Sequence, residues 1–237
     1  MKIPVALPGG GHTLLDGELF VPQHTWDADR ARCRAAGIPD EVVYRSKCDI
    51  ALAQYQRAVS NGVRFAWLTF DAGYGSKPPF LWALDGLNQN YVAEVPVNFH
   101  LWTKPPQVLH RRHARDWQSG SSGRAPGGAP GGRPRNYPRL KVANNSTATV
   151  QDILRFSPIV RNVAWKEYHV KDASKGPMVF EARRITVWLK DERGLPTHPH
   201  HLLITRNVLT PDDIKFFISN APPDTTVETL LLVAFSR

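Results

Sequence analysis

The feature that most restricts the fold is an apolar run, Phe65-Ala-Trp-Leu-Thr-Phe70, that stops abruptly at Asp71-Ala-Gly-Tyr-Gly75. A strand with one face in water alternates polar and apolar residues. This run barely alternates, so it predicts a central strand covered on both faces. Its surroundings agree. Ile50, Leu52, Ala53, Tyr55, Ala58 and Val59 recur at helical spacing, with Asp49 placed to cap the helix and Gly62 to close it. Residues 78–86 predict a second helix and residues 91–95 a second buried strand. Helix, strand, helix, strand at short spacing is the pattern of an α/β core.

The flanks are less regular. Residues 14–20 read as a strand in which Asp16-Gly17 forms a turn or bulge, and Pro22 ends it. Residues 27–36 predict a short helix stopped by Gly37 and Pro39. Residues 119–134 are rich in Gly, Ser, Pro and Arg. They carry too little apolar surface to offset ordering entropy, so disorder is expected there. Residues 179–190 and 201–205 read as strands joined by the turn Asp191-Glu-Arg-Gly194. Thr210-Pro-Asp-Asp213 has the threonine, proline and acids of a helix start. Another helix is predicted to begin at Thr226.

Asp71 is the sharpest candidate for chemistry. Open α/β sheets place their sites just outside the carboxyl ends of strands. Gly73 and Gly75 are expected to let the backbone turn tightly and leave the carboxylate reachable. The competing reading is an aspartate that only caps the next turn. Charge adds a second signal. The chain carries a formal net charge of +9, and residues 104–141 hold nine basic residues against one acid, Asp116. Such a segment suits a polyanion, because phosphate contacts release counterions, although a solvated Arg-rich linker has the same composition. Arg111, Arg112, Arg115, Arg139 and Lys141 are the candidate phosphate contacts. Cys33 and Cys48 form no Cys-x-x-Cys pair and are expected to be free thiols. No apolar stretch is long enough to span a bilayer, and Pro4, Pro8 and three glycines make residues 1–11 a poor signal peptide. A cytoplasmic, nucleoid-associated protein is expected.

Several segments occur in a telling order: Leu14-Leu-Asp-Gly-Glu-Leu-Phe-Val-Pro22, Asp29-Arg-Ala-Arg-Cys-Arg-Ala-Ala-Gly-Ile-Pro39, Ile50-Ala-Leu-Ala53, Thr69-Phe-Asp-Ala-Gly-Tyr-Gly75, Tyr91-Val-Ala-Glu-Val-Pro96 and Val233-Ala-Phe-Ser-Arg237. Together they resemble the DDE superfamily endonuclease domain of bacterial insertion-sequence transposases, in the branch with a β-strand insertion. The resemblance covers most of residues 12–110 and 178–237. It implies an α/β fold, an incomplete ribonuclease-H-like core interrupted by a β-rich insertion. Residues 1–97 would be part of the core, 98–205 the insertion with its disordered tract at about 118–136, and 206–237 a return to the core ending in a truncated helix. It also implies Mg²⁺-assisted phosphoryl transfer on DNA, with Asp71 as the second of three catalytic carboxylates and a metal ligand, and Gly73, Tyr74 and Gly75 shaping its turn. The first aspartate and the glutamate of the family pattern have no counterpart here. The resemblance therefore implies little activity from the chain alone, and Asp16, Glu18, Glu94, Asp212, Asp213 and Glu228 are the other acids weighed as substitutes. Transposon-end DNA is the expected partner, with a full-length transposase or a second copy as further partners. The rival reading is a non-catalytic remnant that binds DNA or pairs with a transposase.

Three minor signals remain. His198-Pro-His-His201 would hold Zn²⁺ or Ni²⁺ only with a ligand from another element, and a strand entrance is the simpler reading. Trp102, Trp117, Trp165 and Trp188 are candidates for stacking on a flipped base, with core packing preferred for each. Arg183, Arg184 and Lys190 are either phosphate contacts or ordinary exposed strand charges.

Overall fold

The structure is a computed structural model that describes residues 2–6, 12–109, 138–142, 145–173 and 176–236. The tract expected to be disordered lies outside the described residues, as do Arg111, Arg112, Arg115 and Trp117.

Strand β1 (Lys2–Ala6) pairs antiparallel with β2 (His12–Gly17) in a separate two-stranded sheet. The strand expected over residues 14–20 therefore starts and ends earlier. Asp16 and Gly17 still pair with Ile3 and Lys2, and the register shifts between Asp16 and Leu14, so the Asp-Gly segment adjoins a bulge rather than turning a hairpin. One wide helical turn (Gln23–Asp27) leads to α1 (Arg30–Ala35) and then α2 (Lys47–Ser60). Helix α2 is capped by Ser46, not by Asp49. The Ser46 hydroxyl accepts the Asp49 N–H at 3.1 Å and donates to Asp49 Oδ2 at 2.6 Å. Asp49 is thus the reciprocal partner of the cap, three residues into the helix. From α2, Arg57 reaches Asp16 at 2.6 Å and Glu18 at 3.2 Å, and Arg45 reaches Glu18 at 2.7 Å. These ion pairs link the β2 segment to the helix.

Next come β3 (Leu68–Phe70), α3 (Ala72–Gly75), α4 (Pro78–Gly86) and β4 (Tyr91–Val95). The short pieces β5 (His100–Leu101), β6 (Val108–Leu109), β7 (Arg139–Leu140) and β8 (Ala148–Thr149) follow, then α5 (Val150–Phe156) and α6 (Pro158–Arg161). Long strands β9 (Lys166–Ala173), β10 (Gly176–Lys190) and β11 (Pro196–Asn207) precede β12 (Ile214–Ser219) and α7 (Val227–Ala234). Helix α7, expected to be truncated, instead ends at Ala234 with Phe235 as its C-cap.

The result is a mixed α/β structure around a six-stranded sheet of order β3-β4-β12-β11-β10-β9. Only β3 and β4 are parallel; the other neighbours are antiparallel. The segment expected as an insertion supplies β9, β10 and β11 to this same sheet. Two expectations are corrected. First, β3 is an edge strand of three half-buried residues, not a doubly covered central strand. Phe65 lies outside the ladder and packs on Tyr55, with ring centroids 5.7 Å apart. Part of the apolar run therefore covers a helix rather than pairing in a sheet. Second, Thr210 does not open a helix. Its carbonyl accepts the Asp213 N–H at 3.0 Å in a single turn, and the chain then extends into β12. A helix cap stabilises by about 1 kcal/mol. Burying Phe216, Phe217 and Ile218 between β4 and β11 is worth about 2 kcal/mol for each side chain, so the sheet wins.

Alternation on the strands builds a core on each face. Phe216 and Ile218 join Leu81, Leu84, Tyr91, Ala93 and Ile204 under α4, while Phe217 joins Val92, Leu203, Leu230 and Leu231 under α7. Cys33 is a free, buried thiol that donates to the Trp26 carbonyl at 3.2 Å. Replacing Ser46 with Ala should lower the unfolding free energy by about 1 kcal/mol in a urea titration, and Asp49→Ala by less. A larger loss at Asp49 would return the cap to that residue.

Candidate active site around Asp71

Asp71 follows the last residue of β3 and is exposed at the carboxyl end of the parallel β3–β4 pair. Its backbone is extended, with φ −79° and ψ 176°, and then turns into α3. Asp71 Oδ1 accepts the Gly73 N–H at 2.9 Å, and its carbonyl accepts from Tyr74 and Gly75 at 3.1 and 2.9 Å. The capping and functional readings of this residue are therefore compatible. One carboxylate oxygen caps the turn, and the cap fixes how the group is presented to solvent.

The two glycines serve this turn through the space they leave. Neither is among the glycines with positive φ, so neither is required for left-handed backbone. Gly75 is required for close approach to backbone, while Gly73 leaves room for the Asp71 carboxylate. A Cβ on Gly73 would lie 2.9 Å from Asp71 Oδ1, and one on Gly75 would lie 1.9 Å from the Glu94 carbonyl oxygen. Only a residue without Cβ lets α3 rest directly on β4. Tyr74 anchors the turn from its other side, with ring centroids 6.4 Å from Phe70 and 5.8 Å from Phe80. Burial raises the Tyr74 phenol above its ordinary pKa, and the nearby Asp71 carboxylate and Cys48 push the same way.

Glu94 is the acid whose placement the sequence did not reveal. Parallel register pairs Phe70 with Ala93, so Asp71 and Glu94 stand one step further on adjacent strands. Glu94 falls on the face covered by α7, because it pairs with Phe217 of that core. Glu94 is half-buried, and Lys215 Nζ lies 3.9 Å from its carboxylate. The other acids weighed as substitutes are placed differently. Asp16 and Glu18 are paired with arginines, and Arg57 holds the Asp16 carboxyl below its ordinary pKa. Asp212, Asp213 and Glu228 are exposed.

Among the described residues, three metal-ligating side chains converge at Asp85, His198 and His200, at the opposite end of β4 from Asp71. No such group contains Asp71. A hard carboxylate oxygen at an open strand end suits Mg²⁺. A two-metal centre needs several converging carboxylates, and the described residues do not gather three around Asp71.

Of the basic candidates within the described residues, Arg139 and Lys141 are both exposed. Arg139 pairs with Leu109, and the Lys141 N–H donates to the Gln107 carbonyl at 2.8 Å. The strand arginines are committed to the fold. Arg183 and Arg206 both lie over the Trp165 ring, at 4.3 and 4.4 Å, and Arg206 pairs with Glu181 at 2.6 Å. Arg184 donates to the Thr225 carbonyl, while Lys190 is exposed. Trp102 is buried, exchanges backbone hydrogen bonds with Trp188 at 2.9 Å and donates its indole N–H to the Asn145 carbonyl.

A family model described as DDE superfamily endonuclease matches residues 4–177. The chain belongs to this family. As a DDE superfamily endonuclease domain it is a transposase-like nuclease, its substrate is DNA, and its family uses a divalent metal, typically Mg²⁺. Asp71, the glycines beside it and all five basic candidates fall inside the matched range, whereas residues 178–237, where the sequence reading also found likeness, lie beyond it. No curated protein matches the chain. Among the described residues of this DDE domain, no helix is long and apolar enough to cross a membrane.

Replacing Gly75 with Ala should cost about 3 kcal/mol of stability in urea, because backbone must move to admit the methyl group. Gly86→Ala, where nothing lies within 4 Å of the added atom, should be neutral or stabilise by roughly 0.5 kcal/mol. Equal effects at the two sites would remove the close-approach argument.

Proposed function

We propose that the chain acts in the DNA transposition of an insertion sequence, with Asp71 contributing one carboxylate to a Mg²⁺ site. The observation that carries this reading is the exposed Asp71 carboxylate at the carboxyl end of β3, held in place by the Gly73 N–H at 2.9 Å. In this reading the core is ribonuclease-H-like and incomplete, interrupted by a β-rich insertion. When bound, Mg²⁺ supplies charge neutralisation at a scissile phosphate and activation of the attacking oxygen. The residues of the chain do the rest. Gly73 holds one Asp71 oxygen so that the carboxylate keeps a single orientation. Tyr74 and Gly75 dock the turn on β4, which fixes Asp71 relative to Glu94. Arg111, Arg112, Arg115, Arg139 and Lys141 neutralise backbone phosphates and hold the duplex.

Because no three-ligand group forms around Asp71 among the described residues, the chain alone is proposed not to cut DNA. A full-length transposase, or a second copy, would supply the missing carboxylates. A non-catalytic role in binding DNA ends is the second reading, favoured by the same lack of a three-ligand group at Asp71.

Incubation of supercoiled plasmid with the chain in Mg²⁺ or Mn²⁺ should give no more nicking than Asp71→Ala. Nicking that disappears in Asp71→Ala would show a complete centre and overturn the proposed inactivity. DNA binding should weaken steeply with salt. The double variant Arg139→Ala, Lys141→Ala should lower the slope of log affinity against log salt by about 2. A slope unchanged in that variant would remove these two residues from the DNA contact.

A further inference from the structure

The three-ligand group at the far end of the sheet combines two elements that are distant in sequence. On β11, His198 and His200 share a face because strand side chains alternate, and their rings stack with centroids 4.3 Å apart. His201 points the other way and its Nε2 bonds the Pro222 carbonyl at 3.1 Å. The third member, Asp85, comes from α4. Its Oδ2 lies 3.3 Å from His200 Nε2 and its Oδ1 lies 3.9 Å from His198 Nε2.

The hydrogen bonds around His200 decide what its Nε2 is doing. Nδ1 lies 2.9 Å from the His198 carbonyl oxygen, which can only accept. The Thr197 hydroxyl, 3.5 Å from Nδ1, gives its own hydrogen to that same carbonyl. Nδ1 therefore donates, and Nε2 is the ring atom that faces the Asp85 carboxylate at 3.3 Å. Either a second ring proton or a bound metal ion completes that contact, and the ring is oriented for both. A backbone carbonyl that fixes the tautomer from behind is the usual support of a metal-binding histidine. Asp85 has matching support, since Asn220 Nδ2 donates to its Oδ1 at 2.9 Å while Asn220 Oδ1 accepts the Tyr91 N–H at 2.9 Å.

We propose that Asp85, His198 and His200 bind one borderline divalent transition-metal ion, Zn²⁺ foremost, at a site separate from Asp71. Two imidazoles and a carboxylate are the donor set Zn²⁺ takes where a further position is left to water. Ligand atoms around a tetrahedral Zn²⁺ stand roughly 3.3 Å apart, as its bond lengths of about 2.0–2.1 Å require. The separations here begin at 3.3 Å, and all three donors lie within 4.8 Å of one another. His200 is fully buried and Asp85 nearly so, whereas the His198 side chain is 49% exposed and free to close the remaining gap. The cluster opens on a pocket of about 490 Å³ that Asn88, Asn90 and Asn220 also line, which gives a water room to complete the coordination. Nitrogen ligands disfavour Mg²⁺, so this site and the proposed Asp71 site would take different ions. A bound ion would fasten α4 to β11 and, through Asn220, to the end of β12.

The test uses the full chain, prepared without a histidine tag and stripped with a chelator. Titration with Zn²⁺ against a chromophoric chelator should show one tight equivalent that excess Mg²⁺ does not displace. Loss of a ligand in His198→Ala or Asp85→Asn should weaken that equivalent by more than about 100-fold, the upper end of what losing an outer partner alone costs. Substitution with Co²⁺ should give the visible absorption of a four-coordinate ion, absent in His198→Ala. Because His198 is half-exposed, that variant should keep the urea midpoint of the metal-free protein, which separates lost ligation from lost folding. Three results would each overturn the proposal: no saturable Zn²⁺ uptake, uptake unchanged in His198→Ala, or a doubly protonated His200 ring by NMR in Zn²⁺-saturated protein.

Discussion

The seam between β4 and β12 holds the molecule together. These strands are far apart in sequence, yet Val92 pairs with Ser219 and Val95 with Phe216. Two side chains lock the end of the seam. The Ser219 hydroxyl donates to the Tyr91 carbonyl at 2.6 Å, and Asn220 accepts the Tyr91 N–H at 2.9 Å. Without the seam, β3 and β4 would be a two-stranded parallel unit with both edges bare, and such a unit is not stable alone. With it, the short parallel pair is continued by the long antiparallel strands β11, β10 and β9, and each face of the combined sheet acquires its own core.

That arrangement gives β4 two chemically different ends. At its carboxyl end, Asp71 stands exposed just past β3, and the buried glycine of α3 holds its turn against the Glu94 backbone. At its amino end, Asp85, His198 and His200 present one oxygen and two nitrogens beside an open pocket. The hardness of the donors separates the two ends as much as distance does. Carboxylate oxygens suit a hard divalent ion, while imidazoles favour a softer one. The same strand therefore positions both groups without making them one site.

Charge was the least direct guide. Arg183, Arg184 and Lys190 read in sequence either as phosphate contacts or as exposed strand charges, and of these Lys190 is exposed. In the structure Arg183, with Arg206, lies over the Trp165 ring, and Arg184 bonds a backbone carbonyl. Guanidinium groups stack on aromatic faces and fork to carbonyls or carboxylates as readily as to phosphate. Composition records their charge and not the group that takes it up. Trp102 makes the parallel case, because an indole that might have stacked on a base is buried with its N–H bonded to Asn145.

Much of the local structure was legible because it rests on neighbours in sequence. The helix at Pro78–Gly86, the strand at Tyr91–Val95 and the turn between β10 and β11 follow from periodicity, proline and glycine. So does the presentation of Asp71 where an apolar run ends, together with the family resemblance carried by the segments around it. What the sequence could not decide depends on which strand lies beside which. It could not demote β3 to an edge, turn the capped Thr210 segment into β12, or place Glu94 one position beyond the pairing of Phe70 with Ala93. Nor could it bring Asp85 across to a His-Pro-His-His segment 115 residues away. Local propensity at such positions is worth about 1 kcal/mol, while burial in a sheet between two partners is worth several times that. Only the tertiary contacts, which fix those partners, settle the outcome.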